Sequence, residues 1–253
     1  MNYSVDINCD MGEGMPNEAL IMPFISSANI ACGYHAGDTG TMQQTIELAL
    51  QHDVVVGAHP SFPDKENFGR TNMYLPATEV CDLVKKQVEL LSNCAAKYNC
   101  RLHHVKPHGA LYNMAATDEI LATAICKAVW ETDKNLLIYA PGGSKLVTAA
   151  QSMNLKTANE VFADRTYQGD GILTPRSQPN ALLQNEQDVA AQVLQMVTKQ
   201  TVTTTNGNTT RLKQKPSVFT EMGNMQLNLP GAFLNYCTEI NFIRNECFVN
   251  GFC

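Results

Sequence analysis

The sequence predicts an α/β fold in which parallel strands form a barrel. Short runs typical of β-strands end in glycine and polar residues, and segments with an apolar stripe at helical spacing usually follow them. Because this pattern recurs along one domain-sized chain, a closed barrel of βα units is favoured over an open sheet. In such a barrel the loops that follow the strands gather at one rim, where active sites lie.

The predicted strands each carry polar residues at their ends. In the first run, YSVDINCDMGEG, Val5, Ile7 and Cys9 alternate with polar residues at period two, so the polar side chains, including that of Asp10, share one face. The later runs are ISSANIACGYHAG, DVVVGAHPSF, RLHHVKPHGALYN, NLLIYAPGGS and TANEVFADRTY. The barrel therefore brings six polar clusters to one rim.

Apolar stripes predict helices between these strands. The stripes are Met42, Ile46, Ala49 and Leu50; then Val80, Leu83, Val84, Val88 and Leu91; then Leu121, Ile125 and Val129 after Thr117. Thr78 is the predicted N-cap of the second helix. Farther along, Asn206 and Gly207 stand between threonine-rich runs, which predicts a surface β-hairpin with a type I′ turn.

Composition limits the class of protein. The chain has 253 residues, 44% hydrophobic and 17% charged, with a net charge of −6, which argues against nucleic-acid binding. No apolar run approaches the roughly 18 residues of a membrane-spanning helix, and the N-terminus lacks the features of a secretory signal. The nine cysteines form no C-x-x-C pair. We therefore expect reduced thiols and a cytoplasmic location, with neither a nucleic acid nor a membrane as partner.

Three of the six histidines lie at strand ends: His35, His59 and His108. Each alone is typical of a hydrogen-bonded structural histidine, but three at equivalent points of successive βα units converge in a barrel. With Asp10 they supply the side chains of a hydrolytic divalent-metal site, for which Asp10, His35 and His59 are the predicted ligands. No His-x-x-x-His spacing accompanies them. His103 and His104 point to opposite strand faces, so at most one faces the interior.

Cationic residues in the same runs indicate an anionic ligand or a buried ion pair. Lys106 lies two residues before His108 and needs an anion if it is buried, either Asp10 or a substrate phosphate or carboxylate. Arg165 offers the same alternatives, and Arg70 is a candidate anion clamp. The glycine-rich DMGEG and APGGSK loops match no nucleotide-binding fingerprint. The residues thus predict a hydrolase or lyase acting on a small anionic substrate.

The ordered motifs DINCDMGEG, SANIACGYHAGD, GAHPSFPD, FGR, HVKPHGALYN, EVFADRTY and DGILTPR resemble the LamB/YcsF family over residues 3 to 212. The resemblance implies a (β/α)7 TIM-like barrel related to the glycoside hydrolase and deacetylase folds. It also implies the A subunit of ATP-dependent 5-oxoprolinase, which works with two further subunits, B and C. That enzyme converts 5-oxoproline, ATP and water to glutamate, ADP and phosphate.

With this reaction in view, we predict roles for residues at the rim. Asp10, His59 and His108 would transfer protons or bind a metal, and Lys106 and Arg165 would hold the substrate carboxylate or the developing phosphate charge. The predicted catalytic residues are Asp10, His59, Lys106 and His108. The predicted substrate-binding residues are Glu13, His35, Arg70, Tyr112, Asn113, Asp164 and Arg165. ATP is the expected co-substrate, and a divalent metal is a candidate cofactor.

The last residues depart from the family pattern. The family has a seventh strand with a C-x-H-G-D signature, whereas this chain continues with KQKPSVFTEMG. Codons can be chosen for Lys215 to Met222 that encode Thr-Leu-Cys-Ile-His-Gly-Asp in the adjacent frame. We therefore divide the chain into a barrel domain, 1–212, and an atypical tail, 213–253, which we interpret as frameshifted, so that the last strand is missing or altered. The alternative is a divergent but genuine C-terminus.

Two other functions remain open at this point. One is a metal-dependent deacetylase or other amidohydrolase on the same barrel, which would need no ATP. The other is a non-catalytic subunit that serves as a scaffold for partner enzymes.

Overall fold

The computed structural model describes residues 3–169, 171–213, 216–220 and 242–244. The strands are β1 (Tyr3–Met11), β2 (Ser27–Ala31), β3 (Val55–His59), β4 (His104–Val105), β5 (Leu137–Pro141), β6 (Thr157–Phe162), β7 (Thr201–Thr203), β8 (Thr209–Arg211), β9 (Val218–Thr220) and β10 (Phe242–Arg244). The helices are α1 (Glu18–Ile21), α2 (Thr39–Gln51), α3 (Ala77–Ala96), α4 (Gly109–Ala115), α5 (Glu119–Thr132), α6 (Lys145–Ser152) and α7 (Glu186–Lys199), and Met22–Phe24 form a 3-10 turn.

The main sheet is built from parallel strands. β1 to β6 lie side by side in chain order, and each pairs with the next. β9 pairs with β6 and also with β1, and β10 pairs with the first residues of β1. The predicted α/β class and all six predicted strands are confirmed. The more specific (β/α)7 barrel stays a prediction.

The register of the sheet places one glycine among larger side chains. Asp10 of β1 is opposite Asn29 of β2, Asn29 is opposite Gly57 of β3, and Gly57 is opposite His104 of β4. A Cβ atom on Gly57 would lie 2.1 Å from His104 Nε2. The absence of a side chain at Gly57 therefore lets the His104 ring reach across β3, where its Nε2 lies 2.7 Å from Asn29 Oδ1.

The predicted helices are present, with one difference at a helix start. α2, α3 and α5 bury the predicted apolar stripes against the sheet or each other, although Leu50 and Leu83 are only half-buried. The prediction that Thr78 is an N-cap is wrong, because α3 begins at Ala77 with Pro76 at the capping position. Pro suits a helix start since it has no N–H to satisfy. In the part of the chain that the structure describes, none of the helices could span a membrane.

β7 and β8 form the predicted antiparallel hairpin, but the turn differs from the expected type I′ turn. The φ of Gly207 is positive, at 81°, but that of Asn206 is not. A type I′ turn requires a positive φ at both of these residues. Instead, the Asn206 side-chain oxygen accepts hydrogen bonds from the backbone N–H of Asn208 and the hydroxyl of Thr204. A backbone turn closed by a hydrogen bond from the Gly207 N–H to the Thr204 carbonyl at 2.8 Å is therefore present, and the Asn206 side chain reinforces it.

The cysteines and the tail are described only in part. The six described cysteines, Cys9, Cys32, Cys81, Cys94, Cys100 and Cys126, are free and buried, which fits reduced thiols. Most of the tail, 213–253, lies outside the described residues, and so does most of the interpreted frameshift. Within the tail, Val218–Thr220 pair between β6 and β1, where the expected seventh strand would lie.

Candidate active site

The side chains of the candidate site lie at the carboxyl ends of the parallel strands. Asp10 is near the end of β1, and Glu13 follows that strand. His59 is the last residue of β3, while Lys106 and His108 follow β4. Since parallel strands end at the same edge, residues far apart in sequence meet there.

A buried lysine holds two carboxylates together at this edge. Lys106 Nζ lies 3.0 Å from Asp10 Oδ1, 3.0 Å from Glu160 Oε1 and 3.0 Å from Asn8 Oδ1. Lys106 is only 4% exposed. Burial alone would lower the pKa of Lys106, but the charges of Asp10 and Glu160 outweigh it and raise the pKa. The predicted ion pair between Lys106 and Asp10 is therefore present, and Glu160 is a second partner.

Glu160 was missed by sequence reasoning although its run was identified. It is 3% exposed, and its carboxylate also accepts hydrogen bonds from Asn8 Nδ2 and from the Tyr112 hydroxyl. Burial, followed by the charge of Glu160, raises the pKa of Tyr112 well above its usual value. The available signal was an acidic residue inside a strand otherwise rich in apolar residues. The partner of Glu160, Lys106, could not be identified from sequence because it follows a different strand, β4.

Asp10 is the more accessible carboxylate of the pair, with its side chain 33% exposed. Oδ1 accepts a hydrogen bond from Asn29 Nδ2 at 2.8 Å, and Oδ2 lies 3.3 Å from His59 Nε2. Burial would raise the pKa of Asp10, but the neighbouring charges of His59 and Lys106 hold it well below its usual range. Asp10 is therefore an ionised carboxylate with one oxygen directed toward the histidines.

Four ligand atoms, one each from Glu13, His35, His59 and His108, lie within 4.8 Å of one another; we call these residues the His–Glu cluster. Glu13 Oε1 is 3.1 Å from His35 Nε2, 3.5 Å from His108 Nδ1 and 3.9 Å from His59 Nε2. His59 Nε2 and His108 Nδ1 are 2.8 Å apart. The rings of His35 and His108 stack with 3.8 Å between centroids. This set of donors fits a divalent metal ion.

Burial changes the ionisation of the His–Glu cluster. Burial and then the Asp10 charge raise the pKa of Glu13 to about 7. Burial and the charge of His59 lower the pKa of His35 to about 3 and that of His108 to about 2. Both of these imidazoles are therefore neutral near pH 7, which is the form that binds metals.

A second polar layer lies deeper in the sheet. His104 stacks on Tyr139 with 3.9 Å between ring centroids, and the Tyr139 hydroxyl donates to Asp6. His103 is also buried, and its Nδ1 lies 3.3 Å from His104 Nδ1. His104 contacts Asn29 and Tyr139, so this histidine is part of the packing of the layer.

The remaining predicted substrate-binding residues lie in different surroundings. Arg70 is exposed above the Phe68 ring, with 5.1 Å from its guanidinium carbon to the ring centroid, and its charge acts on Glu13. Asn113 is exposed on α4. Asp164 and Arg165 are each 6% exposed. The Arg165 guanidinium donates to the backbone carbonyls of Ala181 and Thr174, which ties together the loops after β6. Their roles toward a substrate stay predictions.

The predicted metal ligands are brought together only in part. His35 and His59 belong to the His–Glu cluster, whereas Asp10 lies beside it and Glu13 and His108 complete it. Glu13 is on a glycine-rich loop with positive φ at Gly12 and Gly14, a backbone that folds the loop over the strand ends. Sequence patterns do not give that loop direction, so the fourth ligand could not be chosen from spacing alone.

Comparisons with known proteins agree on one family. The LamB/YcsF family model matches residues 5–219. The A subunit of 5-oxoprolinase from Bordetella pertussis is 52% identical over 218 residues, which cover 84% of this chain and 86% of that protein. The A subunit of 5-oxoprolinase from Tolumonas auensis is 52% identical over 208 residues, which cover 80% and 83%.

A solved structure extends the similarity to the fold. The lactam utilization protein from Thermus thermophilus superposes with a TM-score of 0.90 at 33% identity, over 96% of this chain and 99% of that one. Sequence and structure thus agree over most of the chain. The chain belongs to the LamB/YcsF family.

Proposed function

We propose that this chain is the A subunit of a 5-oxoprolinase, an enzyme component that opens the cyclic amide 5-oxoproline to glutamate. Relatives named as the A subunit of 5-oxoprolinase and a structural neighbour described as a lactam utilization protein support the substrate class. The observation that carries the proposal is the ionised Asp10 carboxylate, held by buried Lys106 beside the His–Glu cluster at the strand ends.

ATP and two further subunits are part of the proposal. A lactam is a stabilised amide that water attacks slowly, and phosphorylation of the carbonyl oxygen makes that oxygen a good leaving group. Water then adds to the ring carbon, and the ring C–N bond breaks with the nitrogen leaving as the amine, which gives an acyl phosphate. A second water releases phosphate from it, so the overall products are glutamate, ADP and phosphate. ATP as co-substrate fits the cytoplasmic location that the sequence predicts.

Asp10 is suited to accept a proton from the attacking water. The Asp10 side chain is partly exposed and its Oδ2 lies 3.3 Å from His59 Nε2, so a water at that oxygen would be oriented by Asp10 and His59. Because its pKa is well below the usual range, Asp10 is a weak base. It therefore acts mainly by orienting the water and by its negative charge. His59 and His108, 2.8 Å apart, would either carry that proton onward or, with a metal ion bound, coordinate the ion instead.

Lys106 is suited to hold Asp10 in place. An ammonium group has three N–H donors, and Asp10, Asn8 and Glu160 supply three acceptors at 3.0 Å. Direct binding of a substrate carboxylate would displace one of them. We therefore propose that Lys106 fixes the position and ionisation of Asp10, and that exposed Arg70 meets the substrate carboxylate.

We also propose that the strands form a (β/α)7 barrel in which β9 is the last strand. Pairing of β9 with both β6 and β1 supports this. The frameshift remains our interpretation of residues from about 213 onward, with β9 built from the altered sequence. A barrel completed by only three paired residues would be weaker at this seam than one with a full strand.

One observation favours a second function. Three histidines and a glutamate suit a metal-dependent amidohydrolase, which would hydrolyse an amide without ATP. A requirement for ATP separates the two functions. A scaffold subunit, in contrast, would tolerate changes at Asp10 and His108 without loss of complex activity.

The test is ATP-dependent formation of glutamate from 5-oxoproline with the B and C subunits supplied. We expect activity with this chain to fall by at least about 100-fold in Asp10→Asn, because the ionised oxygen that faces the histidines is lost. His52→Gln, at the end of α2, is the matched control and should retain activity. A chain with the adjacent-frame C-terminus is assayed in parallel. Near-normal activity of both Asp10→Asn and His108→Ala would refute the proposed site.

A further inference from the structure

The inner atoms of the His–Glu cluster are spaced like ligands around one ion. Four of the separations run from 2.8 Å, between His59 and His108, to 3.9 Å, between Glu13 and His59, and all of the ligand atoms lie within 4.8 Å of one another. In a tetrahedral site with metal–nitrogen bonds of about 2.0–2.1 Å, neighbouring ligand atoms are about 3.3–3.4 Å apart. The observed distances lie on either side of that value, so one ion could contact all four atoms after small side-chain shifts.

Backbone carbonyl oxygens fix the tautomers of two of the histidines. His59 Nδ1 lies 2.7 Å from the carbonyl oxygen of Lys106, and His108 Nε2 lies 2.9 Å from that of Phe68. A carbonyl oxygen only accepts, so each outer nitrogen carries the ring proton. In the neutral rings the inner nitrogens, His59 Nε2 and His108 Nδ1, therefore present lone pairs to each other.

Ser61 fixes the tautomer of the third histidine, His35, in the same way. Its hydroxyl donates to the carbonyl of Phe62 at 2.9 Å, so its oxygen accepts the proton of His35 Nδ1, also at 2.9 Å. Gln87 binds both the backbone N–H and the carbonyl of Ser61, which holds this residue in position. His35 Nε2 is thus a third lone pair directed inward. Outer hydrogen bonds of this kind are typical of histidines that bind metals.

Inward lone pairs that face each other and a carboxylate favour a bound cation. Without an ion, two protons are needed to satisfy them, one between His59 and His108 and one on Glu13 Oε1 opposite His35 Nε2. Asp10 Oδ2, 3.3 Å from His59 Nε2, adds a further acceptor. A single divalent ion at the centre satisfies the three nitrogens and Glu13 together, without changing any outer hydrogen bond.

We infer that the His–Glu cluster binds one divalent transition-metal ion of the kind that prefers imidazole, with Zn²⁺ as its representative. Mg²⁺ prefers oxygen ligands and retains its waters, so three imidazoles select against the ion that accompanies ATP. The ligand set contains Glu13 and His108 and leaves Asp10 outside, unlike the set of Asp10, His35 and His59 that the sequence predicts. The inference does not depend on the proposed reaction.

The experiment measures metal binding by the full chain without substrate. The chain is freed of metal with a chelator and titrated with Zn²⁺ alone by calorimetry, and with Co²⁺ alone by visible absorption, which reports coordination geometry. We expect one saturable equivalent that Mg²⁺ does not displace. Affinity should fall at least about 100-fold in His108→Ala and in Glu13→Gln, which nearly preserves side-chain volume. Asp10→Asn and the control His52→Gln should keep the wild-type stoichiometry.

Distinct outcomes would overturn the inference. One is a wild-type chain with no saturable Zn²⁺ or Co²⁺ binding. Another is unchanged affinity in both His108→Ala and Glu13→Gln. That result would mean that the ion binds elsewhere, for example at the buried thiols. A third is loss of the equivalent in Asp10→Asn with retention in His108→Ala, which would favour the ligand set predicted from sequence. Near-UV circular dichroism checks that each variant is folded.

Discussion

Replacing Lys106 by methionine tests the buried ion pairs directly. Lys106 and Glu160 are 4% and 3% exposed, so the substitution would leave the Glu160 carboxylate buried without its cation. Removing one partner of a buried pair costs about 3–5 kcal/mol. The side chain of Asp10, the other partner, is 33% exposed. Loss of its ion pair with Lys106 adds little to this cost because solvent screens the Asp10 charge. We expect Lys106→Met to lower the free energy of unfolding by about 3–5 kcal/mol.

A second variant and a surface control identify the cause of that loss. The double variant, with Lys106→Met and Glu160→Gln, has neither of these buried charges. We therefore expect a smaller loss of unfolding free energy than in Lys106→Met alone. Lys85 supplies the control, since its Nζ is 3.2 Å from Glu131 while both side chains are about one-third exposed. Lys85→Met should cost about 0–1 kcal/mol, as exposed pairs do.

Urea unfolding followed by circular dichroism measures these differences, with midpoints compared at equal slope. The reasoning would be refuted if Lys106→Met were as stable as Lys85→Met. It would also be refuted if adding Glu160→Gln to Lys106→Met lowered stability further, since that would mean that Glu160 is stabilised without its cation.

Two other substitutions follow from close contacts. Gly57→Ala would put a Cβ atom 2.1 Å from His104 Nε2, and overpacking together with the lost His104–Asn29 hydrogen bond should cost about 2–4 kcal/mol in urea unfolding. Alanine at Gly169, whose Cβ would meet its nearest neighbour at 3.4 Å, should be tolerated, and an equal loss there would contradict the argument. Ser61→Ala removes the acceptor for His35 Nδ1 and should weaken Zn²⁺ binding about 10–100-fold in calorimetry, whereas unchanged affinity would show that this hydrogen bond does not orient the ring.

The strands and the residues at their ends could be predicted from sequence because both depend on local patterns. Period-two alternation before Asp10, the apolar run before His59 and the short run RLHHV before Lys106 identify strand ends, and parallel pairing then brings these residues together. The pairing of Asp10 with Lys106 follows from the same logic, since a buried ammonium requires an anion and both residues lie at the same edge.

The partners that complete the site depend on long-range register and could not be predicted. Glu160 reaches Lys106 from β6, and Asn29 reaches His104 only because β3 has glycine at position 57. Ser61 contacts His35 from the loop after β3. None of these contacts has a fixed spacing along the chain, so motif reading has no signal for them.

β1 has a consequence for the order in which the chain can fold as it is synthesised. Residues 8–11 pair with β2, which follows soon after, whereas Asp6–Asn8 pair with β9 and Tyr3–Val5 with β10. The start of β1 must therefore wait until β9 and β10 have left the ribosome before it finds those partners. Such distant pairing folds slowly, because the loop-closure entropy is lost before the contacts form. A change in β9 or β10 thus acts on β1, which is synthesised long before either of them.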